Sequence, residues 1–119
     1  MKIIGRISNN IEQLLNLSIT GDKNIYLGET NINHMAVSHP SDYLKYKDEL
    51  PNILSDHDYV GINPKDNSLE YVKEYIVNGE YVKVAVRISS GNRFYARSLY
   101  VLNKNRVINF IKKGTLKKT

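Results

Sequence analysis

The 119-residue chain has no cysteine and no tryptophan, and only 3 prolines and 7 glycines. Without cysteine there is no disulfide, no thiolate zinc site and no cysteine nucleophile. No apolar stretch approaches the roughly 20 residues of a membrane-spanning helix. Residues 1–13 lack the apolar segment of a signal peptide. There is no internal repeat, low-complexity run or linker. These absences predict a soluble chain that folds as one domain over residues 1–119, with no membrane partner and no cofactor. A chain of this length can bury a hydrophobic core without disulfides or metals.

Acid is also missing from the last third. All 12 Asp and Glu lie at or before Glu80. Seven Lys and Arg accompany them, so residues 1–80 carry a net charge of −5. Residues 81–119 hold the other ten Lys and Arg and no acid, a net charge of +10. Such asymmetry points to a polyanion-binding surface. Lys112, Lys113, Lys117 and Lys118 read equally well as a solvated basic tail. Lys83, Arg87, Arg93 and Arg97 differ, because strand-like sequence places them on an oriented face.

The pattern predicts an α+β domain, with N-terminal helices packed on a C-terminal antiparallel meander. Residues 1–24 read as a lead-in with a short helix around 9–16, carried by Ile11, Leu14 and Leu15. Residues 39–50 read as one helix, with Ser38 as N-cap, Pro40 in the first turn and Pro51 as a breaker. From residue 68 the apolar period changes from 3.6 to 2. Strands are expected over 68–77, 80–90 and 93–102, separated by Asn78-Gly79 and Gly91-Asn92. Residues 105–113 read as a short terminal helix before Gly114, with a fourth strand as the competing reading.

Register then gathers side chains. A two-residue Gly91-Asn92 loop makes Ser90 face Arg93, Val84 face Leu99 and Val82 face Val101, which completes an apolar face. On the other face Lys83 lies across from Tyr100, Ala85 from Ser98 and Arg87 from Ala96. A one-residue slip would put Tyr100 and Ser98 among the valines. Lys83, Arg87, Ser98 and Tyr100 therefore share an open face, where two cations and two hydroxyls suit a phosphate. The alternative is a solvated face with ordinary cross-strand pairs. Arg97 is sent toward the apolar side by this register.

His34 and His39 flank the start of the 39–50 helix. With a reference pKa of about 6.5, either ring can take or give a proton near neutrality. Metal-independent RNA cleavage needs a base for the 2′-hydroxyl, an acid for the leaving 5′-oxygen, and cations for the phosphoryl oxygens. A helix-start histidine serves equally as a cap or surface residue. Three histidines without an H-x-x-x-H pair are a poor metal signal, so no metal is assigned. His57, between two acids, is read as incidental.

The segments Asn-Ile-Asn-His-Met (31–35), His-Pro-Ser-Asp-Tyr (39–43), Asp-Tyr-Val-Gly (58–61), Val-Ala-Val-Arg (84–87) and Ala-Arg-Ser-Leu-Tyr-Val-Leu (96–102) occur in that order. Together they resemble the phage-associated branch of the barnase–EndoU–colicin–RelE-like (BECR) nucleases, from about Ile25 to Lys117. The resemblance implies a nuclease core over residues 25–117, in a superfamily rich in metal-independent ribonucleases used as toxins or in phage–host conflict. It implies that His34 and His39 supply proton chemistry and that Arg87, Arg97, Ser98 and Tyr100 contribute from the sheet. The sequence departs at position 57, where a proline is expected.

The resulting expectation is a metal-independent endoribonuclease acting in the cytoplasm of a bacterial host. Its catalytic residues would be His34, His39, Ser98 and Tyr100, and its phosphate-binding residues Lys83, Arg87 and Arg97. RNA, including tRNA, is the expected partner, with an inhibitor or immunity protein as a second. The rival readings are a non-catalytic RNA- or DNA-binding module using the same face, and a protein that docks on an acidic partner.

Overall fold

A computed structural model of the protein describes residues 1–89 and 91–119. Its elements are β1 (Lys2–Arg6), α1 (Asn9–Leu14), β2 (Asn24–Leu27), α2 (Glu29–Ser38), α3 (Pro40–Tyr46), a 3₁₀ turn (Lys47–Glu49), α4 (Leu50–Ser55), β3 (Tyr59–Ile62), β4 (Leu69–Tyr75), β5 (Glu80–Ile88), β6 (Phe94–Leu102), α5 (Lys104–Lys113) and β7 (Leu116–Lys118). The strands form one seven-stranded sheet in the order β1-β2-β6-β5-β4-β3-β7. Neighbours are antiparallel except β2 and β6, which run parallel. The class is α+β, but the order departs from helices followed by a simple meander. Two strands precede the main helices, and β7 returns after α5 to pair with β3. Among the described residues no helix is long and apolar enough to cross a membrane.

The valine alternation in β5 decides the two faces. Val82, Val84 and Val86 are buried with Leu69, Tyr71, Ala96 and Leu99, under Met35 of α2 and Leu50, Ile53 and Leu54 of α4. On the opposite face α5 seats Val107 against Val72, Leu102 and Leu116, with Phe110, Tyr59 and Tyr81 at the margin. α5 thus lies over β7 and β5 on that face, and its Arg106 and Phe110 line a shared pocket with Glu70, Lys83 and Tyr100, while the Arg87 end of the face is left to α2. Gly61 permits this, because a Cβ there would collide with the Thr115 carbonyl leading into β7.

Several expectations are corrected. The 39–50 helix is really two helices joined by the 3₁₀ turn, and Ser38 is the last residue of α2 rather than an N-cap. Pro51 stands in the first turn of α4, where its missing N–H costs nothing, so it opens a helix as it ends the one before. α2 escaped notice because its stripe is narrow: Met35 is buried while Val37 is 81% exposed.

The β5–β6 register changes partway. Ser89 donates its N–H to the Arg93 carbonyl at 2.8 Å, so three positions, not two, separate the paired strands. Asn92 takes the left-handed conformation (φ 58°) that such a loop needs. Ser90, expected opposite Arg93, lies outside the described residues. Next to the loop the pairs are Ile88 with Phe94, Arg87 with Tyr95 and Val86 with Ala96. Arg87 therefore faces Tyr95, not Ala96. A bulge then restores the expected pairs of Ala85 with Ser98, Val84 with Leu99, Lys83 with Tyr100 and Val82 with Val101. The bulge lets the loop adopt its preferred geometry while every valine keeps an apolar partner.

Candidate active site

The extra residue of the bulge is Arg97. It has no partner opposite in β5, and it is exposed rather than directed to the apolar side. Bulges commonly re-aim a side chain in this way. Arg97 lines a cleft of about 260 Å³ with Arg87, Ile88, Ser89, Tyr95, and Thr30, Asn31 and His34 of α2. Among the described residues the cleft walls carry two guanidinium groups and an imidazole and no carboxylate. Asp66 feels the charge of Arg87, after stronger hydrogen bonds from Ser68 hold its carboxyl low. No ion pair involving Arg87 or Arg97 is formed among the described residues.

A helix reaches this face because β2 pairs with β6 only at Phe94 and Tyr95. Beyond Ala96 the edge of β6 is free of β2, and the α2–α3 segment takes its place. The Val101 N–H, which would otherwise lack a sheet partner on that edge, donates to Asp42 Oδ2 at 3.0 Å. This bond fixes the first turn of α3, and with it His39 at the junction of the two helices.

His39 belongs to a second cluster on the same face. Its ring stacks on Tyr100, with centroids 4.6 Å apart and planes 22° apart. The Lys83 ammonium lies 4.6 Å from the Tyr100 ring centroid. Lys83 is buried, not on the open face expected of it, and is ion-paired with buried Glu70 at 2.6 Å. Burial pulls the Lys83 ammonium pKa down, but the hydrogen bonds with Glu70 and Tyr100 outweigh it, and the net direction is up. Its charge is therefore already engaged by Glu70, which the sequence reading did not include.

The expected residues thus divide. His34, Arg87 and Arg97 share the cleft; His39, Tyr100 and Lys83 form the stacked cluster; Ser98 lies on β6 between Arg97 and Tyr100, half-buried. Tyr95, Asn31, Thr30, Glu70 and Asp42 also belong to the surroundings and were not anticipated. Only the pairing of Glu70 with Ala85, two pairs along the ladder from Lys83 and on the same face, carried a signal, and it required β4 to be in register. His57 lies elsewhere: its ring meets the edge of Tyr71 at 5.1 Å, and its Nδ1 is 2.8 Å from Thr119 Oγ1. Burial, opposed by Asp56 and Asp58, pushes its pKa down.

The family model described as phage-Barnase-EndoU-ColicinE5/D-RelE like nuclease 3 matches residues 2–109. The chain belongs to this family. No curated protein and no solved structure matches it. The matched span runs from β1 into α5, so it contains every residue of the nuclease's cleft and stacked cluster.

Proposed function

We propose that this nuclease is a metal-independent endoribonuclease that leaves a 2′,3′-cyclic phosphate. The observation that carries the reading is His34 sharing one cleft with Arg87 and Arg97. The two guanidinium groups hold the phosphodiester and offset charge gained by its oxygens. His34 takes the 2′-hydroxyl proton as O2′ attacks phosphorus. The P–O5′ bond breaks, and His39 gives a proton to the departing O5′, leaving a 5′-hydroxyl on the second fragment. The two histidine roles are exchangeable. Tyr100 orients His39 by stacking, and Ser98 hydrogen-bonds the phosphate between the clusters. Lys83 acts through Tyr100, since Glu70 already holds its ammonium. The metal-free reading draws support from the cleft walls, which offer cations where a divalent metal would need carboxylates.

By the same proposal the protein acts in phage–host conflict in the bacterial cytoplasm, with tRNA among the candidate substrates and an inhibitor protein as a partner; the family description supports the phage-associated nuclease part of it. The test is purified protein with total RNA in EDTA, followed by end-group analysis. Cleavage to cyclic-phosphate ends is expected, and a 2′-deoxyribose at the cut linkage should block it. Intact RNA at high enzyme concentration, or a His34→Ala variant as active as the parent, ends the proposal. The division of His34 and His39 between neighbouring clusters favours one alternative, a non-catalytic RNA- or DNA-binding surface. That reading predicts salt-sensitive binding without cleavage.

A further inference from the structure

Tyr95 stands between two clefts. One is the arginine cleft; the other, about 440 Å³, is lined by Met1, Gly28, Thr30, Asn31, Ser89 and Tyr95. We infer that the second cleft is a base-stacking subsite for an unpaired nucleotide next to the bound phosphate, with Tyr95 as its platform. The inference rests on the ribonuclease reading for its substrate class.

Three observations converge on it. First, Tyr95 is half-buried on the open face beside Arg87, its partner across the ladder. A base seated on it would lie one nucleotide from a phosphate held by Arg87 and Arg97. Second, Tyr95 is one rung of a braced ladder. Tyr26 sits 5.9 Å away at 41°, and the Arg93 guanidinium lies 5.3 Å from the Tyr26 centroid. The Tyr26 hydroxyl donates to Asp22, and the Tyr95 hydroxyl lies 3.1 Å from the Met1 sulfur. A ring held in place loses little freedom when a base stacks on it. Third, the cleft offers a hydrogen-bond donor of settled direction. Asn31 Oδ1 accepts the Gly28 N–H at 2.9 Å, which fixes the side-chain amide and leaves its NH₂ free to donate to a ligand. That donor suits the acceptor edge of a base.

Among the described residues no carboxylate lines this second cleft, which suits a polyanion. Stacking on Tyr95 requires an exposed base face, which a duplex hides inside its own stack. The subsite therefore selects single strands, loops or bulges over continuous double helix.

The experiment uses the full chain carrying His34→Ala, so that bound RNA is not consumed. Fluorescence anisotropy would compare a labelled single-stranded RNA heptamer with its duplex. A series of heptamers with one abasic nucleotide moved along the strand follows. The single strand should bind the more tightly. One abasic position should weaken binding by about fivefold or more, the scale of one base–aromatic stack. In the same background Tyr95→Leu should weaken the intact heptamer to a similar degree and erase the effect of that abasic position, while Tyr95→Phe stays within about twofold of Tyr95. A flat abasic profile, or equal affinity for single strand and duplex, overturns the subsite even if Tyr95→Leu fails to fold. The parent chain settles the reading beneath: intact RNA with a peaked abasic profile removes cleavage and keeps the subsite, while cleavage with a flat profile does the reverse.

Discussion

The imidazole of His39 lies against the ring of Tyr100, 4.6 Å between centroids, although the two residues come from a helix junction and a sheet strand. Stacking restricts the planes the imidazole can adopt to those near the Tyr100 ring plane, 22° away. If His39 transfers a proton, His39→Ala should lower kcat/KM for RNA by roughly 10²- to 10⁴-fold, the range for a positioned acid or base. Tyr100→Phe should retain most activity because it keeps the stacking ring, and Tyr100→Leu should fall well below it. Steady-state cleavage of a short labelled RNA checks both. Equal losses in the two Tyr100 variants would show that the hydroxyl matters and the stack does not.

Arg97 owes its position to the bulge and touches no acid within ion-pair distance among the described residues. Arg97→Ala should therefore weaken RNA binding with little change in stability, within about 0.5 kcal/mol. If it contacts one phosphate, the slope of log K against log salt should become shallower by about 0.7. Binding titrations from low to moderate salt measure this. An unchanged slope would place the side chain off the phosphate path.

The Lys83–Glu70 pair should behave as a buried ion pair. Glu70→Ala strands the Lys83 ammonium and should cost about 3–5 kcal/mol. Adding Lys83→Met should recover much of that loss, since an apolar replacement no longer needs a counter-charge. Urea unfolding of the two single variants and the double variant closes the cycle. Additive losses would mean the two charges do not depend on each other.

Stability should have a plateau bounded on both sides. Hydrogen bonds from Lys23, Tyr26, the Ser68 backbone N–H and Lys45 are the leading causes that hold Glu12, Asp22, Asp66 and Glu80, respectively, below the usual carboxylate range. Their contribution is present above the unfolded value of about 4 and disappears as pH falls through the lower folded values. Burial, the leading cause, pushes the Tyr71 and Tyr75 phenols up, and Lys83 is raised as well. These contributions are full below the unfolded values of about 10 and are lost as pH rises above them. Urea midpoints across pH 3 to 11 should fall at both ends. Tyr71→Phe tests the alkaline side. The Tyr71 hydroxyl is buried with no hydrogen-bond partner among the described residues, so its removal should stabilise the protein by about 1 kcal/mol at neutral pH and flatten the alkaline limb.

Much of the sheet could be read in advance because alternation is a local property. Val82, Val84 and Val86 announced one buried face whatever their partners. β3 and β7 could not be recognised the same way, being four and three residues long with pairing that depends on distant segments. Gly61, in the Asp-Tyr-Val-Gly segment, shows the limit. Its lack of a Cβ matters only because Thr115 arrives against it, 54 residues later in the chain. Asp42 is similar, an ordinary first-turn acid until the free edge of β6 supplies the Val101 N–H.

By itself the sequence determined that the last third is cationic, that it alternates in strands, and that Lys83 and Tyr100 lie side by side, because charge, period and pairing parity are properties of order along the chain. Which cations remain available to a ligand was decided only in three dimensions. A carboxylate on β4 claimed Lys83, and one extra residue in β6 turned Arg97 out beside Arg87 and His34. Counter-charge and bulge geometry both depend on which strands become neighbours, and that is settled when the whole sheet buries its apolar face.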